Sequence, residues 1–531
     1  MKKSLSIYYV CFALAAAAAS SALLAHHYRG RVKKAEAALS KEQGKHAAER
    51  VAKVSPQEYS YLKALGERYG YDPKEPDPLK DAVALAAQLN AQLNMSIGAE
   101  YNVSKTPWLF PPPITQKSRD IVGATRTPFS LASGKIELPD EAVFYQYSIT
   151  NPTKAAVPMP ILHNGIRWDD AEKMVQTAGL PAIADEVDRA IAIWRFVSEN
   201  HFHAMPVTEG PEEHDTVKYF ACYGYGFCDD TAQAIAGIAK LCGMQVRIWG
   251  LEGHVVPEIF AGGRWLMFDA DFAVYFHAPG DPRAVLGVEE LSKDRATFKN
   301  AIQLGKTGHF EEGYAEPFLS TGNNKALPVE ARSEHRVEAK LAPGERVVFS
   351  NFNWGEYFAG AYPQRVSRYF NGYFERPLGA DDFTGLPSGL EIRRDGETFT
   401  IVNMAKRDKR AEAIITCPFP IVGGGVSSPT SVKLEFEDTV AKRKFILTEG
   451  REISFTSAVT QVSKQPTTSF SIMVVVPAGG MVKFEKAMRL STHFQFAGLP
   501  LLRLKKGGTE FQSFTPEPPT LAGLIGEVVW K

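Results

Sequence analysis

The sequence predicts an α+β chain in which a helix-and-hairpin unit is followed by an antiparallel β-sandwich. Three observations carry this. A helical pattern over residues 229–242, closed by Gly243, leads into two strand-like runs joined at Ala261-Gly262-Gly263. From Val329 onward short alternating runs recur at regular spacing with turn residues between them. An apolar segment and an Ala/Glu/Lys/Gln-rich stretch precede both.

In chain order, residues 1–27 hold Lys2 and Lys3, then 22 uncharged residues (4–25), then His26 and His27. This is the pattern of a signal peptide or a membrane anchor. Arg29, Arg31, Lys33 and Lys34 follow, and the balance favours export with the segment retained. Residues 28–56 read as an exposed helical spacer ended by Pro56. Residues 57–160 carry helical patterns at 57–69 and 78–95, then proline-punctuated, irregular or β-rich sequence. A core domain is expected over 161–310, with a helix over 184–198 bearing Val187, Ile191, Trp194, Phe196 and Val197 on one stripe. Helical turns are expected at 288–291 and 296–302, and the glycine-rich, charged stretch 305–327 reads as a boundary.

The sandwich is placed at 329–505, with about eight strands, among them 346–350, 390–394, 398–402, 413–417, 431–436, 444–447, 452–456 and 469–476. Asp395-Gly396 and Gly423-Gly424-Gly425 are read as turns between them. The aromatic runs 352–358 and 369–374 suit sandwich core first and a glycan- or peptide-stacking surface second. The tail 506–531 is Pro-rich and ends in an apolar run, 521–530, suited to a docking helix.

The chemistry concentrates between Tyr223 and Phe272. Cys228 follows a glycine-rich turn and opens the 229–242 helix, where unpaired amides and the helix dipole favour a thiolate. Asp229 and Asp230 oppose that, so His254 must supply part of the activation. In the hairpin, a loop of Ala261 and Gly262 sets Phe260 against Gly263 and, counting back, His254 against Asp269. Facing side chains in such a ladder are about 5 Å apart at Cβ, close enough for a carboxylate to orient an imidazole. If the turn is Gly262-Gly263 instead, the partner becomes Asp271. Asp269 ranks first and Asp271 is its rival. Tyr223 and Tyr225 are candidate oxyanion donors beside the Cys228 amide, and His203 is a further candidate lining the cleft. His201, His203 and His214 follow no metal-ligand spacing, so no metal and no cofactor are expected.

These residues resemble the transglutaminase-like superfamily. The matching pieces are Gly226-Phe227-Cys228, the run Leu241-Cys242-Gly243-Met244-Gln245-Val246-Arg247, the run His254-Val255-Val256-Pro257-Glu258-Ile259-Phe260, and Gly263-Arg264-Trp265-Leu266-Met267-Phe268-Asp269. The resemblance covers about a fifth of the chain, and its most specific part is the His-to-Asp half. It implies a papain-like core with Cys228 as nucleophile, His254 as general base and acid, and Asp269 as the orienting group. Where the animal cross-linking enzymes carry Gly-Gln-Cys-Trp this chain has Gly226-Phe227-Cys228-Asp229, so protein cross-linking is not implied. The loop Leu251-Glu252-Gly253 is short for the family, and Pro257 falls in a strand that is usually unbroken.

The expected function is a cysteine enzyme cleaving an amide or related acyl bond, hydrolytic in the first instance, with acyl transfer as the alternative. A second alternative is an inert envelope protein whose sandwich binds glycan or peptide. Peptide, protein or cell-envelope polymer is the expected substrate, in a periplasmic or extracellular setting. Equal numbers of basic and acidic residues, 60 each, argue against nucleic acid. Five cysteines, Cys11, Cys222, Cys228, Cys242 and Cys417, do not make a disulfide framework, although Cys222 with Cys242 is one available pairing and buried free thiols the other reading.

Overall fold

Alternating sequence in the C-terminal half becomes strand wherever the burial alternates. Lys409–Thr416 shows this directly, with Ala411, Ala413 and Ile415 buried between exposed Arg410, Glu412 and Ile414. The computed structural model describes residues 114–531 apart from intervening segments, the longest being 304–313, 359–368, 498–508 and 511–523. The anchor, the spacer and the helical patterns expected at 57–95 lie outside the described residues. No helix among those described is long and apolar enough to cross a membrane.

The chain is strand-rich, with several antiparallel sheets. The largest has eight strands in the order Thr125–Phe129, Ile525–Trp530, Tyr145–Thr150, Arg346–Ser350, Phe370–Pro377, Arg489–Phe496, Ile421–Val432 and Gly450–Ser454. Sheets of three and four strands accompany it, the latter built on Ser469–Val476. Phe455 stacks on Phe436 and packs at a tilt against Phe470 of the four-stranded sheet, with ring centroids 5.5 and 4.8 Å away.

Two expectations are corrected here, and a third is met. The tail run ends in a strand, Ile525–Trp530, which pairs with both Tyr145–Thr150 and Thr125–Phe129. It is not a helix, because Val528 and Val529 complete a sheet that a helix could not hydrogen-bond. The large sheet therefore takes strands from both sides of 329–505. Gly423-Gly424-Gly425 is bulged strand and not a turn, since a Cβ on Gly424 would lie 2.2 Å from the Ser491 carbonyl oxygen and one on Gly425 2.7 Å from that of Ile453. The aromatics Phe352, Trp354, Phe358, Tyr369, Phe370, Tyr373 and Phe374 are buried and Tyr357 is half-buried, in keeping with the core role that ranked first.

The helix-and-hairpin unit forms where expected, with a different register. Helices Glu186–Glu199 and Cys228–Leu241 flank a four-stranded sheet in the order Arg264–Met267, His254–Ala261, Val246–Leu251 and Lys325–Leu327. Gly243, at φ +73, ends the second helix, with Met244 N–H donating to Ala239 O and Gly243 N–H to Lys240 O. The hairpin turn is Gly262-Gly263, both at positive φ, and Ala261 pairs with Arg264. Two consecutive left-handed residues make the two-residue loop that matches strand twist, and only this glycine pair supplies them. Strand His254–Ala261 runs unbroken through Pro257, whose carbonyl accepts the Phe268 N–H. The segment 296–302, expected to be helical, is a 3₁₀ turn, Arg295–Lys299, followed by strand Ala301–Gln303. The stretch 305–327 is no boundary at its far end, since helix Ala315–Leu319 and strand Lys325–Leu327 both belong to the core.

Candidate active site

Cys228 is the first residue of its helix, and the preceding turn can be built only with glycine. Gly224 has φ +68, and a Cβ on Gly226 would lie 2.7 Å from Asp230 Cβ and 2.9 Å from Tyr219 Cε2. Phe227 is extended, and its N–H donates to Asp230 Oδ2 at 2.8 Å. Thr231 Oγ1 donates to the Phe227 carbonyl at 2.8 Å, which seals the turn to the helix. As the first residue of the helix, Cys228 carries one of the amides that have no partner within the helix itself.

Asp230 bears on the expected conflict with the thiolate. Burial, followed by the Asp229 charge, pushes its carboxyl up to about 8, so at neutral pH it is largely the uncharged acid. The repulsion at the helix start is correspondingly smaller than two aspartates suggest.

His254 opens its strand and is buried. Its Nε2 lies 2.7 Å from Asp269 Oδ2, which leaves Nδ1 to hydrogen-bond the Cys228 thiol. Burial disfavours the imidazolium, but the Asp269 charge, the Asp269 hydrogen bond and Cys228 outweigh it and raise His254 to about 10. Asp269 is saturated: Oδ2 also accepts the Tyr314 hydroxyl at 2.5 Å, and Oδ1 accepts the Phe272 N–H at 2.9 Å. Its carbonyl accepts the Trp194 indole N–H at 2.9 Å, so helix Glu186–Glu199 does more than fill the core.

Asp269 is thus the partner of His254, and the ladder did not choose it. The strand pairing ends at Glu258 with Met267, and the chain then leaves the sheet through a loop in which Asp269 and Val274 exchange backbone hydrogen bonds. Ala273 in that loop, at φ +49, is the sole positive-φ non-glycine among the described residues. The loop turns Asp269 onto His254 Nε2 and Asp271 onto His203, with an Asp271 carboxylate oxygen still within 4.8 Å of Cys228 Sγ and a His254 ring nitrogen.

Asp271 joins His203, whose Nδ1 is 2.7 Å from Asp271 Oδ1, with His201 Nε2 at 3.8 Å. Burial would raise the Asp271 carboxyl, but these two histidines hold it below the usual carboxylate range. His203 reaches the site because Phe202–His203 pairs in parallel with Tyr225–Gly226, putting it beside the turn that leads into Cys228. The Phe272 ring stands between the two histidines, 5.9 Å from His203 and 5.1 Å from His254.

The tyrosine candidates fare differently. Tyr223 is no oxyanion donor: it is buried in the π-helical turn Lys218–Tyr223 and its hydroxyl donates to Glu212 Oε1 at 2.8 Å. Tyr225 lays its ring edge-on to Tyr369, 5.8 Å away. Tyr314, which sequence reasoning missed, is the tyrosine at the triad. It precedes a five-residue helix and carries no periodic signal, so its place is set by packing on Phe276, Phe298 and Phe318.

The three histidines do not converge on one point. His214 pairs with Glu330 Oε2 at 3.1 Å and lies 3.6 Å from Asp230 Oδ1, away from the Asp271 pair. Among the described residues, two groups bring donor atoms together as metal ligands do: Cys228, His254 and Asp271, and His214, Asp229 and Asp230. Cys222, Cys242 and Cys417 are free and buried, so the pairing of Cys222 with Cys242 is not formed. Sequence comparison finds no matching family model and no matching curated protein.

Proposed function

We propose that the protein is a thiol acyl-transfer enzyme of transglutaminase-like kind, with a papain-like core, that hydrolyses an amide or related acyl bond. The observation that carries this reading is the line Asp269–His254–Cys228, in which a saturated carboxylate holds one imidazole nitrogen and the other faces a thiol at a helix start. The Cys228 sulfur attacks the carbonyl carbon, and the resulting oxyanion meets the Cys228 amide. His254 Nδ1–H protonates the departing amine as the tetrahedral adduct collapses to a thioester. Water then attacks the thioester while His254 takes its proton, and the carboxylic acid leaves with the thiol–imidazole pair restored. His203, half-exposed and fixed by Asp271, is placed to orient that water or a competing amine. An envelope setting rests on the charge pattern of residues 1–27 alone.

Iodoacetamide labelling at near-neutral pH tests the pair before any substrate is known. Cys228 should alkylate about tenfold or more faster than an ordinary thiol and slow in His254→Ala, while Cys222, Cys242 and Cys417 stay protected by burial. A Cys228 rate equal to that of a free thiol, unchanged in His254→Ala, would sink the reading. Peptide, cell-wall and amide libraries, with Cys228→Ala as blank, then identify the bond.

A further inference from the structure

The side chains around the nucleophile form more than a triad. Cys228 Sγ, a ring nitrogen of His254 and a carboxylate oxygen of Asp271 all lie within 4.8 Å of one another. Asp271 is buried and Cys228 half-buried, so the group opens on the thiol side.

We propose that this pocket also binds a thiophilic divalent cation, zinc in the first instance, through Cys228 Sγ, His254 Nδ1 and a carboxylate oxygen of Asp271, and that the bound ion silences the nucleophile. The inference rests on the catalytic reading for its consequence but not for its chemistry. Thiolate, neutral imidazole and carboxylate are the three ligand types zinc takes, and two anions balance its charge. With bonds of about 2.0 to 2.3 Å, tetrahedral zinc sets its ligand atoms about 3.5 Å apart, so a group whose atoms lie within 4.8 Å of one another needs to close by about 1.3 Å at most. A fourth position stays open toward solvent.

The surroundings match what a ligating histidine requires. His254 gives its other ring nitrogen to buried Asp269, 2.7 Å away, which fixes ring orientation and tautomer as outer carboxylates do at zinc sites. Asp271 is steadied in turn by His203 at 2.7 Å. Binding displaces one proton from the thiol–imidazole pair to solvent, and His254 keeps its Nε2 proton on Asp269. The His214, Asp229 and Asp230 group lacks a thiolate, and its Asp229 is exposed to water.

The test uses the full chain freed of metal and titrated with cobalt(II) as a spectroscopic stand-in and with zinc alone. Wild type should take one equivalent of cobalt with a near-ultraviolet thiolate-to-cobalt charge-transfer band. Cys228→Ala, a mild change at a half-buried position, should lose that band, and Asp271→Asn should weaken zinc binding about tenfold or more. One equivalent of zinc should protect Cys228 from iodoacetamide, and His214→Asn should alter neither result. A cobalt band retained in Cys228→Ala, or no thiolate band in wild type and an alkylation rate indifferent to zinc, overturns the proposal. The two readings fail separately: fast, His254-dependent alkylation without metal binding leaves the enzyme standing, whereas metal binding at a thiol of ordinary reactivity leaves only the site.

Discussion

Replacing Asp269 with Asn removes the charge that holds His254 in its imidazolium form while leaving a side chain of the same shape to accept from Nε2. His254 rises from 6.5 to about 10 on folding, against a burial penalty that alone would lower it. At about 1.4 kcal/mol for each pH unit, that interval is a net of about 5 kcal/mol, the gain from Asp269 and Cys228 less the burial penalty. The sign follows from the raised value. The stabilisation is fully present below the unfolded value of 6.5 and is lost as pH climbs through about 10. Urea denaturation of wild type and Asp269→Asn, run at intervals from pH 6 to pH 11, should show a gap that is widest near pH 6, narrows steadily from about pH 6.5 and reaches its minimum above about pH 10. Nitrogen NMR of labelled histidine should show wild-type His254 still protonated at pH 9 and the variant titrating near or below its ordinary value. A gap of constant size across the whole range, or wild-type His254 titrating near 6.5, would refute the coupling.

Tyr314→Phe deletes a hydroxyl that donates to buried Asp269 at 2.5 Å and keeps the ring among Phe276, Phe298 and Phe318, so a loss of about 1.5 to 3 kcal/mol in urea denaturation is expected with the fold intact. Gly226→Ala meets Asp230 and Tyr219 at under 3 Å and should destabilise by more than about 1 kcal/mol and slow Cys228 alkylation, read by denaturation and labelling together. Asp230 is an acid raised to about 8, so folding takes up a proton and wild-type stability falls as pH rises from 3.8 toward about 8; Asp230→Asn should flatten that fall, as pH-dependent denaturation would show.

Much of the site was legible because its signals are local. A glycine turn, a cysteine and a helical stripe closing on Gly243 lie within a few helical turns of one another, and they place Cys228 at a helix start. The glycine pair at 262 and 263 marks the hairpin, and strands such as Ser469–Val476 and Arg346–Ser350 stand where alternation put them. Strand counting named Asp269 for a reason the structure does not share: the register that forms is the one that favoured Asp271, and Asp269 reaches His254 only because pairing stops at Met267.

What the sequence determined by itself, then, is the helix that starts at Cys228, the hairpin strand that His254 opens and many of the later strands, since side-chain periodicity and turn chemistry act over a few residues. Tertiary structure decided the rest: which aspartate serves which histidine, that Tyr314 reaches Asp269 from 45 residues along the chain, and that strands at 125–129, 145–150 and 525–530 complete one sheet. Those choices depend on where a ladder ends and which apolar faces meet across long separations, and no local pattern encodes either.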